Sequence, residues 1–190
     1  MKRGNFVKME KKLIVCLGAI YFFLGSIEAY ASGLLYQLPL TWQDDMGKSV
    51  RLQNFIGKPT VLVMSYGACK KICSTSIFRM EQMQTIIDRN KMDVQFVVVG
   101  LDPKNDRPED WRQFRQDRKL TRINWYFLSG SPNDIKSLAG NLGINYWIYH
   151  DHVVHDFVIT LLDADGNILQ KMVNGGESLD RFLSPAIIGK

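Results

Sequence analysis

Apolar residues run along this chain in two rhythms. Thr60-Val61-Leu62-Val63-Met64-Ser65 is a short, continuous, β-branched stretch, as expected of a strand covered on both faces. After Cys73 the spacing lengthens: Ile77, Met80, Met83, Gln84 and Ile87 recur at three- and four-residue steps and predict an amphipathic helix. Val94 to Leu101 is again almost continuously apolar and predicts a second buried strand. Glu109 to Arg118 predicts a polar helix packing through Trp111 and Phe114, and Trp125 to Leu128 a third strand. Ser131-Pro132-Asn133-Asp134 opens a helix with a hydroxyl cap, a proline at the first helical position and an acid in the first turn. That helix should stop near Gly143.

The flanks are read the same way. Leu38 to Trp42 and Ser49 to Leu52 predict a hairpin around Asp44-Asp45-Met46-Gly47. His155 to Leu162 and Ile168 to Val173 predict two strands joined by Asp163-Ala164-Asp165-Gly166, and Ser178 caps a last short helix through Phe182. The result is an α/β fold, a mixed central sheet flanked by helices. A strand–cysteine–helix unit, then βα, then a terminal ββα, resembles the thioredoxin-like arrangement with an extra N-terminal β-hairpin.

Composition changes the picture mainly at the N-terminus. Lys2, Arg3, Lys8, Lys11 and Lys12 precede the apolar stretch Leu13 to Ile27, and Ala29-Tyr30-Ala31 follows. That order predicts a secretory signal peptide over residues 1–31, or an uncleaved anchor, and a domain over 32–190 that is exported to the periplasm or held at the membrane facing it. The apolar stretch is shorter than the roughly 20 residues that span a bilayer comfortably. Cys16 would leave with the leader. The leader also holds five of the 24 basic residues and two of the 19 acidic ones. The rest of the chain is then nearly balanced, which argues against a nucleic-acid partner.

Two cysteines remain, Cys69 and Cys73, at the junction of the first buried strand with its helix. A C-x3-C spacing puts both sulfurs on one face of the first turn, where they can close a disulfide or hold one soft metal ion. As a plain staple the pair would close too small a loop to restrain the unfolded chain much. Lys70, Lys71 and the helix N-terminus favour the thiolate form, unless the lysines are only solvated surface charge. Met64, Met80 and Met83 fall at core spacings rather than as thioether ligands. All three histidines, His150, His152 and His155, lie within one six-residue stretch. In a thioredoxin-like fold the residue entering the strand Phe157 to Leu162 lies against the cysteines, where an ordinary thioredoxin has a cis-proline. His155 stands there; His152 ranks second, and His150 could assist.

Gly57-Lys58-Pro59, Cys69 and Cys73, Leu101-Asp102-Pro103, and His155 eleven residues before Gly166 together resemble the Sco/SenC family of copper-delivery proteins, from about Tyr36 to the end of the chain. The chain departs from the family pattern in having Lys70 and Ser74 where a proline usually follows each cysteine, and Val154 where an Asp usually precedes the histidine. The resemblance implies Cys69, Cys73 and His155 as copper ligands, a set that suits Cu(I) and also holds Cu(II), whereas zinc normally wants a fourth ligand. It implies a copper-accepting partner such as a cytochrome oxidase subunit, and a thiol reductant to open the pair. The alternative is a thiol–disulfide oxidoreductase, with Cys69 as nucleophile and Cys73 as resolving thiol, acting on a copper acceptor's cysteines. A peroxidase-type relative would need an Arg at the reactive cysteine, and no residue can be assigned to it.

Overall fold

A computed structural model describes residues 35–67, 72–150 and 152–188, with side chains given except at 72–74 and 187–188. The leader expected over residues 1–31 therefore lies outside the described residues. Among the described residues nine strands and four α-helices follow in the order β1 (Thr41–Asp44), β2 (Ser49–Arg51), β3 (Thr60–Ser65), α1 (Ile72–Arg89), β4 (Gln95–Gly100), α2 (Pro108–Asp117), β5 (Trp125–Gly130), α3 (Pro132–Leu142), β6 (Tyr146–Tyr149), β7 (His152–His155), β8 (Ile159–Leu162), β9 (Ile168–Met172) and α4 (Leu179–Ile188).

Seven strands form one sheet in the order β2-β1-β5-β4-β3-β8-β9. The three at its centre, β5, β4 and β3, are parallel, with Val63 opposite Val98 and Val98 opposite Phe127. The outer strands β1, β2, β8 and β9 all pair antiparallel. Every residue of β3 and β4 is buried, which is why both read as unbroken apolar runs. Alternation divides them between two cores. Val61 and Val63 point with Met80, Met83, Trp111 and Phe182 to the α1, α2 and α4 face, and Leu62 and Met64 point with Leu138 and Leu142 to the α3 face. The methionines are therefore core residues, and Met64 lies across the sheet from Met80 and Met83.

Local chemistry sets the helix ends. The Ser131 hydroxyl accepts the Asp134 amide at 3.2 Å to open α3, and Gly143, at φ +66°, closes it in the left-handed conformation. The last helix outruns its expected end at Phe182. Pro185 cannot serve the Arg181 carbonyl four residues back, but the Ser184 hydroxyl donates to it at 2.8 Å and the helix continues to Ile188.

The expected strand from His155 to Leu162 is two strands. β7 ends at His155, β8 begins at Ile159, and β7 pairs only with β6 in a separate two-stranded ribbon, with Tyr146 opposite His155. Asp156 makes the break. Its amide donates to the Asn145 carbonyl at 3.0 Å, and its carboxylate accepts the Asn145 amide at 2.8 Å and the Asn145 side chain at 2.9 Å. That clamp closes the base of the ribbon and turns the chain into β8. Among the described residues no helix is long and apolar enough to cross a membrane.

Candidate metal centre

The described site residues are read against the C-terminal ends of the parallel strands, the edge at which open α/β sheets bind their ligands. β3 ends at Ser65, and Tyr66 and Gly67 carry the chain off the sheet. Cys69 lies outside the described residues. In the sequence it follows Gly67 by two residues. Cys73 is the second residue of α1, and its side chain too lies outside the description.

His155 is well placed from the other direction. It is 8 % exposed, and its ring meets the buried Tyr66 ring edge-on at 6.2 Å between centroids. The imidazole thus stands against the residue from which the cysteine loop departs. Its Nδ1 lies 2.8 Å from the Asp156 carbonyl oxygen. A carbonyl can only accept, so Nδ1 carries the proton and the neutral ring has its lone pair on Nε2. Burial holds the imidazole below its usual pKa, opposed by the Asp156 carbonyl and charge, and favours the neutral form. His152 begins β7 three residues earlier and is exposed, and His150 sits in the hairpin turn at φ +55° against Tyr149. Among the described residues no group of three His, Cys, Asp or Glu side chains gathers into a metal site.

One carboxylate at this edge escaped the sequence reading. Asp106 is 1 % exposed; its Oδ1 accepts the Gly67 amide at 2.7 Å and its Oδ2 the Asp102 amide at 2.8 Å. Its own carbonyl accepts the Ser129 hydroxyl at 2.5 Å, so the chain beyond β3, the chain beyond β4 and the end of β5 all meet at this residue. Burial pushes its pKa up to about 7, against the lowering effect of the donated amides. Within the polar run Lys104-Asn105-Asp106-Arg107 it reads as a solvated loop acid. The signal that could have found it is Gly100, a glycine ending an apolar strand, where a Cβ would lie 2.6 Å from the Asp106 Cβ.

A strand–loop–helix corner whose sequence carries two cysteines, on a mixed sheet with His155 packed against Tyr66 at the end of β3, defines a thioredoxin-like protein. Residues 31–183 match the SCO1/SenC family, and the chain belongs to that family. It is 28 % identical over 168 residues to the SCO1 protein homolog of Bacillus subtilis, covering 85 % of this chain and 86 % of that one. Its fold is similar to the solved structure of BsSco, described as a member of the Sco family of cytochrome c oxidase assembly proteins with a disulfide switch (TM-score 0.68, 27 % identity, 77 % of this chain and 88 % of that one). It is also similar to Arabidopsis thaliana ScoI with copper bound (TM-score 0.69, 24 % identity, 78 % and 93 %).

Proposed function

We propose that this protein is a copper metallochaperone that carries one copper ion on Cys69, Cys73 and His155 and passes it to an exported or membrane-bound cuproenzyme, with a cytochrome c oxidase subunit as the favoured client. Copper here is cargo. The observation that carries the reading is the His155 ring, packed on Tyr66 beside the cysteine loop with its proton committed to the Asp156 carbonyl. A ligating histidine is commonly fixed in this way, its other nitrogen held by a carbonyl so that tautomer and orientation are set before metal arrives. Two thiolates and one imidazole form a soft, low-coordinate set that fits Cu(I) and holds Cu(II), and family membership and the copper-bound Arabidopsis relative support the same ion. The basic, apolar, A-x-A leader supports export, with the domain in the periplasm or anchored facing it.

Thiolates must be free to bind, so a reductant is part of the cycle. Copper stoichiometry and the absorption spectrum of the reduced chain test the assignment: one copper per chain with a thiolate-to-copper band is expected after reduction, and none before. Equal binding by the oxidised chain would exclude the cysteines as ligands.

A second reading, thiol–disulfide exchange on a client's cysteines, is supported by the disulfide switch ascribed to BsSco. Exchange needs both sulfurs but not the imidazole. A His155→Ala chain that loses delivery and keeps exchange separates the two.

A further inference from the structure

The mechanism above makes no use of Asp106, yet the fold makes unusual room for it. A glycine at 100 admits its Cβ, and Gly67, whose amide it holds, is boxed by the same carboxylate and Trp111, at 3.4 Å and 3.5 Å from where a Cβ would stand. A carboxylate this deep is costly unless each oxygen is bonded. Here one oxygen is bonded to the chain leaving β3 and the other to the chain leaving β4. Among the described residues no Lys or Arg pairs with it, so amide donors carry its compensation.

We propose that Asp106 is a positioning residue for the thiol pair: by clamping the Gly67 amide it fixes where the chain leaves β3, and so holds Cys69 in reach of Cys73. This rests on the reading of Cys69 and Cys73 as a working dithiol. Gly67 is two residues before Cys69, and no other side chain is seen holding its amide among the described residues. Without the clamp the loop samples more conformations, and the effective concentration of one thiol for the other falls. Disulfide closure and two-sulfur copper binding both weaken, although Asp106 touches neither sulfur.

The test equilibrates the full chain with a glutathione redox buffer, then traps free thiols and reads the Cys69–Cys73 disulfide by mass. In this reaction the two cysteine thiols pass two electrons and two protons to glutathione disulfide, the protein S–S bond forms, and two glutathione thiols are released. Asp106→Ala should lower the equilibrium constant for the protein disulfide about tenfold, a midpoint roughly 30 mV less negative. Asp106→Asn keeps an oxygen for the Gly67 amide and should stay within about threefold of the unaltered chain. Asp45→Ala is the structural control: it breaks the 2.9 Å ion pair to Arg115 on α2, lowering stability without touching Gly67, and should leave the constant unmoved. Should Asp106→Ala not fold, Asp106→Ser, too short to reach both amides, takes its place with the same expectation. An Asp106→Ala (or Ser) constant within twofold of the unaltered chain, or an equal shift in Asp45→Ala, overturns the proposal while leaving the dithiol intact. An unaltered chain that forms no Cys69–Cys73 disulfide at any buffer ratio overturns the proposal together with the dithiol reading.

Discussion

The two ribbons β1–β2 and β6–β7 are built alike and used differently. Each is a short antiparallel pair. The first is stitched to the main sheet through β1 and β5, and its Trp42 is 1 % exposed. The second has its own two-stranded ladder and leaves Trp147 53 % and Tyr149 61 % exposed, yet its last residue is His155. One ribbon extends the scaffold; the other presents a side chain to the cysteine corner. Composition runs against the outcome: the more polar ribbon, Thr-Trp-Gln-Asp with Ser-Val-Arg, is the one that joins the sheet. What distinguishes them is whether a strand finds an open edge of the sheet to pair with.

The largest effect should follow from Trp42→Ala, because the ring fills the contact with β5: a Cβ added at Gly130 would meet it at 2.3 Å. A loss of about 3–5 kcal/mol in urea unfolding is expected. A loss near zero would mean that the first ribbon is as dispensable to the core as the second.

A pH series isolates the sheet end, which belongs to neither ribbon. Asp106 titrates about 7 in the folded chain against an ordinary 3.8, so the folded state binds its proton more tightly. Its contribution is fully present below pH 4 and is lost as the pH rises through about 7, an effect on the order of a few kcal/mol. Asp106→Asn should flatten the unfolding free energy between pH 4.5 and 8. An unchanged slope would place the titration elsewhere.

The copper measurement sharpens the comparison next. His155→Ala should weaken Cu(II) by more than the 10–100-fold typical of losing a group behind a ligand, and Cu(I) far less, since two thiolates hold Cu(I) linearly. His152→Ala, at the exposed start of β7, should change either affinity little. Competition against chelators of known affinity reads both, and a reversed ranking would move the ligand to His152.

Asp156→Ala removes two accepted bonds at the base of the second ribbon. About 1 kcal/mol of stability should go, together with faster amide exchange confined to β6 and β7. Exchange that speeds equally in β8 would show the ribbon to be part of the main sheet's cooperative unit. Trp147→Ala should be the mildest, within about 0.5 kcal/mol by the same unfolding assay.

The same contrast explains what could be read from the residues alone. β3 and β4 are legible because burial on both faces admits only apolar side chains, and α3 because Ser131, Pro132 and Gly143 mark both its ends. The second ribbon is not legible. Its turn is taken by His150 at φ +55°, where an Asn-Gly or Asp-Gly pair would have announced it, and its Tyr-Trp-Ile-Tyr strand shows no polar face. His155 stands out by its place in the chain, but it ends β7, and the strand that it is expected to enter begins only at Ile159. Asp106 was missed because a loop acid bonded only to backbone amides looks, in one dimension, like any solvated one.

The ladder between β3 and β8 has a consequence for how the molecule comes into being. Thr60 pairs with Leu162, about a hundred residues further on, and such distant partners are slow to meet. The cysteines leave the ribosome long before His155 does. During that interval they are two nearby thiols in a chain that has not yet made the strand leading to β8, so any oxidant or metal that reaches them then meets them without His155.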